Sequence, residues 1–169
     1  MSEKLLIEQA TAVNLYVLGD QGGFETRAAQ TFTLAKASTV MSVSVGFNAT
    51  TGAPAGNVTY RIETVTAGVP TGTLVHASAT KAFSPTQSSW NKQAFASSFQ
   101  LAGGVYALVL SCANQANDQY WTISGGTSSP YAGGTAYHNV DAGSWIDQGW
   151  DIAFRIYGDV TFKAGIIMF

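Results

Sequence analysis

Cysteine occurs once in this sequence, histidine twice, and charged residues make up only 11% of it; each scarcity removes a class of protein. The lone Cys112 cannot close an internal disulfide, so stability must come from a core, in which the thiol is expected as a small buried hydrophobe. His76 and His138 have no His or Cys partner at ligand spacing, which leaves no zinc motif and makes both expected structural or surface residues. Ordinary globular domains carry about 25% charged residues. Here the net charge is −2 with no cluster of Lys or Arg to neutralise a run of phosphates, so nucleic acid is not an expected partner. The opening MSEKLLIEQATAVN holds two acidic groups and only a short apolar stretch. That fits neither a secretory signal nor a membrane helix, so the expectation is synthesis in a reducing cytoplasm without membrane insertion. No convincing helical periodicity is present beyond a turn or so near Val75 to Phe83.

What the chain has instead is alternation. Met41, Val43, Val45 and Phe47 alternate with Ser42, Ser44, Gly46 and Asn48, the pattern of a strand with one buried face. Val58, Tyr60 and Ile62 alternate with Thr59, Arg61 and Glu63 in the same way, and Ile152, Phe154 and Ile156 with Asp151, Ala153 and Arg155. Turn signals rich in Gly, Pro, Asn and Ser separate these runs, from GDQGG at 19–23 to DAGS at 141–144. The pattern predicts an all-β fold with strands near 25–35, 38–48, 57–65, 72–76, 89–101, 105–112, 119–124, 134–139 and 150–158. Two antiparallel sheets face to face would bury Phe32, Leu34, Val43, Val45, Phe47, Val58, Tyr60, Ile62, Leu108, Leu110, Trp121, Ile123, Phe154 and Ile156. A chain of 169 residues can bury such a core as one domain.

The segments AQTFTLAKASTVMSVSVGF (29–47), NVTYRIETVTAGVPTGTLVHASAT (57–80), SSWNKQAFASSFQLAGGVYALVLS (88–111), DQYWTISGG (118–126) and WDIAFRIYG (150–158) carry a resemblance. Their order resembles a jelly-roll β-sandwich module that recurs in bacteriophage virion proteins and in bacterial surface or secreted proteins, similar in shape to carbohydrate-binding modules. The resemblance implies a two-sheet antiparallel jelly roll over 25–158, preceded by an N-terminal arm or added strands (1–24) and followed by an apolar C-terminal arm or added strand (159–169). It implies a virion structural protein acting by assembly, as a capsid decoration, fibre or tail subunit. A homo-oligomer is expected, with a trimer favoured by analogy, alongside other virion proteins as partners.

Both ends are apolar, which matters for assembly. Leu5, Leu6 and Ile7 near the start, and Ile166, Ile167, Met168 and Phe169 at the end, need cover, either as edge strands of the same sandwich or as contacts with neighbouring subunits. No arrangement of nucleophile, base or paired carboxylates is marked by spacing, so no enzyme and no cofactor are expected. Calcium at the Asp-rich turns is left open, without any motif for it. The alternative to a purely structural role is attachment to surface glycans. Tyr131, Tyr137 and Trp145 lie in a Gly- and Ser-rich stretch beside Asn139 and Asp147, where rings can cover pyranose faces and amides or carboxylates can fix hydroxyls. The same rings could equally anchor a long loop or bury against another subunit.

Overall fold

The computed structural model describes residues 3–11, 14–21, 24–54, 56–112, 118–126 and 131–160. Among these residues there is no helix, and fourteen strands join in one hydrogen-bonded antiparallel network. The first half of the chain supplies β1 (Lys4–Gln9), β2 (Asn14–Gln21), β3 (Phe24–Leu34), β4 (Ser38–Thr51), β5 (Val58–Thr66), β6 (Val69–Leu74) and β7 (Thr80–Phe83). The second half supplies β8 (Ser89–Leu101), β9 (Gly104–Cys112), β10 (Tyr120–Gly126), β11 (Ala136–Val140), β12 (Ile146–Asp147), β13 (Asp151–Ile152) and β14 (Phe154–Val160).

Strand order along the main path is β1-β14-β4-β10-β2-β3-β9-β5-β6. β8 pairs along the length of β4, β11 adds to β3, and β7 adds to β5. Each strand expected from the alternation is present to within a few residues. The last of them is interrupted at Ala153, where the chain passes from β13 on β10 to β14 on β4. The turn between Val75 and Phe83 is smaller than a helix. Ala79 N–H bonds the carbonyl of His76 at 2.9 Å, and the chain then enters β7. Pairing with β5 supplies partners for that backbone, an opportunity that local pattern cannot register.

Period two determines the core. In β3, Ala28, Phe32 and Leu34 point inward; in β9, Leu108, Leu110 and Cys112; in β5, Val58, Tyr60 and Ile62. All fourteen residues expected to be buried are buried. Strands far apart on the ladder meet through these rows: the rings of Phe32 on β3 and Phe154 on β14 lie 6.3 Å apart, and Phe47 on β4 meets Phe83 on β7 edge-on at 6.2 Å. Burying one such side chain contributes about 2–3 kcal/mol. Trp121 is also buried, while Trp150 is half-buried against the same core.

The N-terminal residues are laid along the network rather than away from it. β1 pairs with β14, from Lys4 opposite Gly158 to Gln9 opposite Phe154, and thereby forms an edge of the main path. Leu6 and Ile7 pack on the core, whereas Leu5 remains exposed. Ile166, Ile167, Met168 and Phe169 lie outside the described residues.

Candidate functional site

The outward rows of β11, β3, β9, β5 and β6 build a polar face, because residues that alternate with the core must point away from it. Register aligns these rows. Asn139 lies opposite Arg27, Tyr137 opposite Ala29, Ala29 opposite Val109, Val109 opposite Arg61, and Ala107 opposite Glu63. Ala29, Ala107 and Val109 form a second, small apolar cluster here, with Val65, Tyr137 and Trp145 packed over it. Small residues in the middle strands leave a trough, walled on one side by the edge strand β6 and on the other by the turn that follows β11. A cleft of about 230 Å³ lies between them, lined by Arg27, Glu63, Thr71, Gly72, Asn139 and Trp145 among others.

Each wall is held by a buried polar group. On the first, the carboxylate of Glu63, only 3% exposed, accepts Arg61 Nε at 2.7 Å and the Gly72 N–H at 2.8 Å. Arg61 Nη2 also donates to the Gly72 carbonyl at 2.9 Å. The two side chains thus grip Gly72 by both its backbone groups, and its φ of +79° is one that favours glycine.

On the second wall, Asn139 is 1% exposed. Its Oδ1 accepts Arg27 Nε at 3.2 Å and Nη2 at 2.7 Å, and its Nδ2 donates to the Gly143 carbonyl. The guanidinium of Arg27 also lies 5.6 Å from the centroid of the Trp145 ring, a cation–π distance. Between Asn139 and Trp145 the chain makes a tight turn closed by Gly143 N–H to Val140 O at 2.8 Å. Both of its central residues, Asp141 and Ala142, have positive φ, 48° and 55°. Asp tolerates this region, but Ala142 stores of order 1 kcal/mol there. The strain sits where the turn overhangs the cleft.

Of the five residues that the sequence nominates for glycan contact, Tyr137, Asn139 and Trp145 come together on this face. Asp147 is opposite Tyr137 in the β11–β12 pair but exposed, and its Oδ1 accepts the Gly149 N–H at 2.8 Å. Tyr131 stands elsewhere. Its ring packs edge-on against Phe154 at 5.3 Å, its backbone N–H bonds Asp151 Oδ2 at 2.8 Å, and burial pushes its hydroxyl pKa up, with the Asp151 charge adding to the rise. Sequence reasoning missed Arg27, Glu63, Thr71 and Gly72. Alternation does place Arg61 and Glu63 on an outward face, but only register reveals that Arg27 lies opposite Asn139.

A second surface is formed at the β1 edge. Leu6, Ile7, Leu34, Lys36 and Val160 line a groove of about 190 Å³ beside the point where β14 ends. Between β8 and β14, aromatic–cation pairs cover the strands: Arg155 lies 3.9 Å from the centroid of Trp90 and Lys92 lies 4.0 Å from that of Tyr157.

Among the described residues, no three His, Cys, Asp or Glu side chains gather to hold a metal. His76 is exposed, with its ring stacked on Phe99 at 5.5 Å and its Nδ1 accepting the Ser78 N–H at 3.0 Å. No known family model matches the chain, and no curated protein matches it in sequence.

Proposed function

We propose that this chain is a non-catalytic virion structural subunit of the bacteriophage decoration, fibre or tail type, which also attaches to surface glycans through the Arg27–Trp145 cleft. Its antiparallel network is then a jelly-roll sandwich. The approach of Phe32 to Phe154 and of Phe47 to Phe83 supports two facing layers. The observation that carries the recognition half of the proposal is the preorganised guanidinium: an indole on one side, a buried amide on the other, and a cleft in front. Such a site offers a ring for the apolar face of a sugar and fixed donors for its oxygens, as ligand sites with a few placed polar groups do. Single-site affinity would be near millimolar, about −4 kcal/mol, so display in many copies on a particle would supply avidity. A glycan array probed with multivalent wild-type protein tests the reading. Trp145→Ala should abolish retention while the sandwich stays folded; an array blank for wild type would overturn glycan attachment.

Assembly is favoured by a different observation, the groove beside Val160 at the edge formed by β1. There an apolar segment from this or a neighbouring copy would cover Leu6 and Ile7, giving a closed homo-oligomer, with a trimer favoured by the virion analogy. Sedimentation of the intact chain and of a chain lacking 163–169 tests it. A stable monomer in both cases removes the assembly role of the C-terminal segment.

A further inference from the structure

We infer that the ligand of the cleft is a carboxylate-bearing sugar, such as a uronic or sialic acid, seated on the outer edge of the Arg27 guanidinium. The inference rests on the glycan reading above and sharpens it. Arg27 uses its Nε and one hydrogen of Nη2 on the single Oδ1 of Asn139. That engages one edge of the fork and leaves the Nη1–Nη2 edge with two parallel N–H donors, the geometry that matches a carboxylate.

Orientation is fixed rather than incidental. Asn139 is buried, and its Nδ2 is committed to the Gly143 carbonyl, so its Oδ1 must face Arg27. Trp145 restrains the guanidinium from a second side. No ion pair to Arg27 forms among the described residues. Among the described residues the one carboxylate lining the cleft, Glu63, is engaged by Arg61 and the Gly72 N–H, so it does not compete for Arg27. A volume of about 230 Å³ suits one sugar unit, with the Trp145 ring lining it for the sugar's apolar face.

The test follows the Trp145 indole N–H by NMR, assigned through its loss in Trp145→Phe, during titration with galacturonate, N-acetylneuraminate, galactose and acetate. The acidic sugars should shift the resonance, with affinity falling as salt rises. Galactose and acetate should each bind at least about tenfold more weakly. Arg27→Gln should reduce acidic-sugar affinity about tenfold or more, the scale of a lost charge-assisted pair, and Arg27→Lys should retain part of it. Preserved chemical-shift dispersion in Arg27→Lys keeps the comparison valid if Arg27→Gln unfolds. Equal binding of galactose and galacturonate, unchanged in Arg27→Lys, would overturn the acidic ligand and leave glycan recognition standing. Equal binding by acetate would overturn the sugar. Silence to every ligand, with a blank array, would remove both.

Discussion

Arg27 and Asn139, 112 residues apart in sequence, share one oxygen: Asn139 Oδ1 receives both Nε and Nη2 of the arginine, the latter at 2.7 Å. The pair ties β3 to β11, and through Nδ2 it also ties the 140–143 turn to the sheet. Replacing Asn139 by Ala removes the partner of the half-buried Arg27 edge and of the exposed Gly143 carbonyl. Losing a hydrogen bond to a charged group costs about 1–3 kcal/mol. Urea unfolding of Asn139→Ala should show a loss in that range, and hydrogen exchange should show faster exchange at Gly143, whose amide closes the turn.

Ala142 offers the opposite sign. Its φ of 55° lies in the left-handed region, where a Cβ is penalised and glycine is not. Ala142→Gly should therefore stabilise by about 0.5–1 kcal/mol after the larger chain entropy of glycine is subtracted. Thermal melts of the two proteins decide it.

A buried carboxylate holds the β13 segment. Asp151, fully buried, accepts Gln30 Nε2 and the Tyr131 N–H, each at 2.8 Å, while Gln30 Oε1 accepts the Ile152 N–H at 2.8 Å. Asp151→Asn keeps the shape but turns a donor toward one of two donors. The expected cost is about 1–3 kcal/mol, read by denaturant unfolding. Gln30→Ala should cost a similar amount and, because it shares the network, should not add to it.

Alkaline pH should unfold this protein through its tyrosines. Burial pushes the Tyr60 hydroxyl well above its ordinary pKa, and burial likewise raises Tyr131. With the folded value above the unfolded one, the stabilisation is fully present below about pH 10 and is lost as pH rises toward the folded values. Tyr60→Phe gives up the bond to the Asn91 carbonyl, 3.2 Å away, at about 1 kcal/mol near neutrality. Its stability should then fall less steeply than wild type above pH 10, as followed by circular dichroism.

Acid should act at the other end, on the contact preceding β1. Burial alone would raise the Glu3 pKa, but hydrogen bonds from Lys92 and Ser42 and the Lys92 charge bring it below the ordinary value. The contribution is present above the unfolded carboxylate pKa and lost as pH falls through the lowered folded value. For a solvent-touched pair it amounts to about 0.5 kcal/mol. Glu3→Gln should thus cost little and flatten the acid limb of the stability profile near pH 4.

Alternation by itself determined nine strand segments and the centre of the core, while β1, β2, β7 and β12 were not among those it marked. At 41–47, 58–62 and 152–156 only one face of each strand is apolar, so residues such as Val43, Tyr60 and Phe154 had a single place to go. Pairing order and register were decided by the tertiary structure, since nothing local says that β3 takes β11 on one side and β9 on the other, or that Thr80–Phe83 completes β5. The cleft depends on that choice. Tyr137, Asn139 and Trp145 were visible as a polar-aromatic stretch, but their partners Arg27 and Glu63 come from other strands, and a one-residue slip in β11 would turn Asn139 from the outer face toward the core. Local pattern sets which face a side chain occupies; only long-range hydrogen bonding sets which neighbour it meets there.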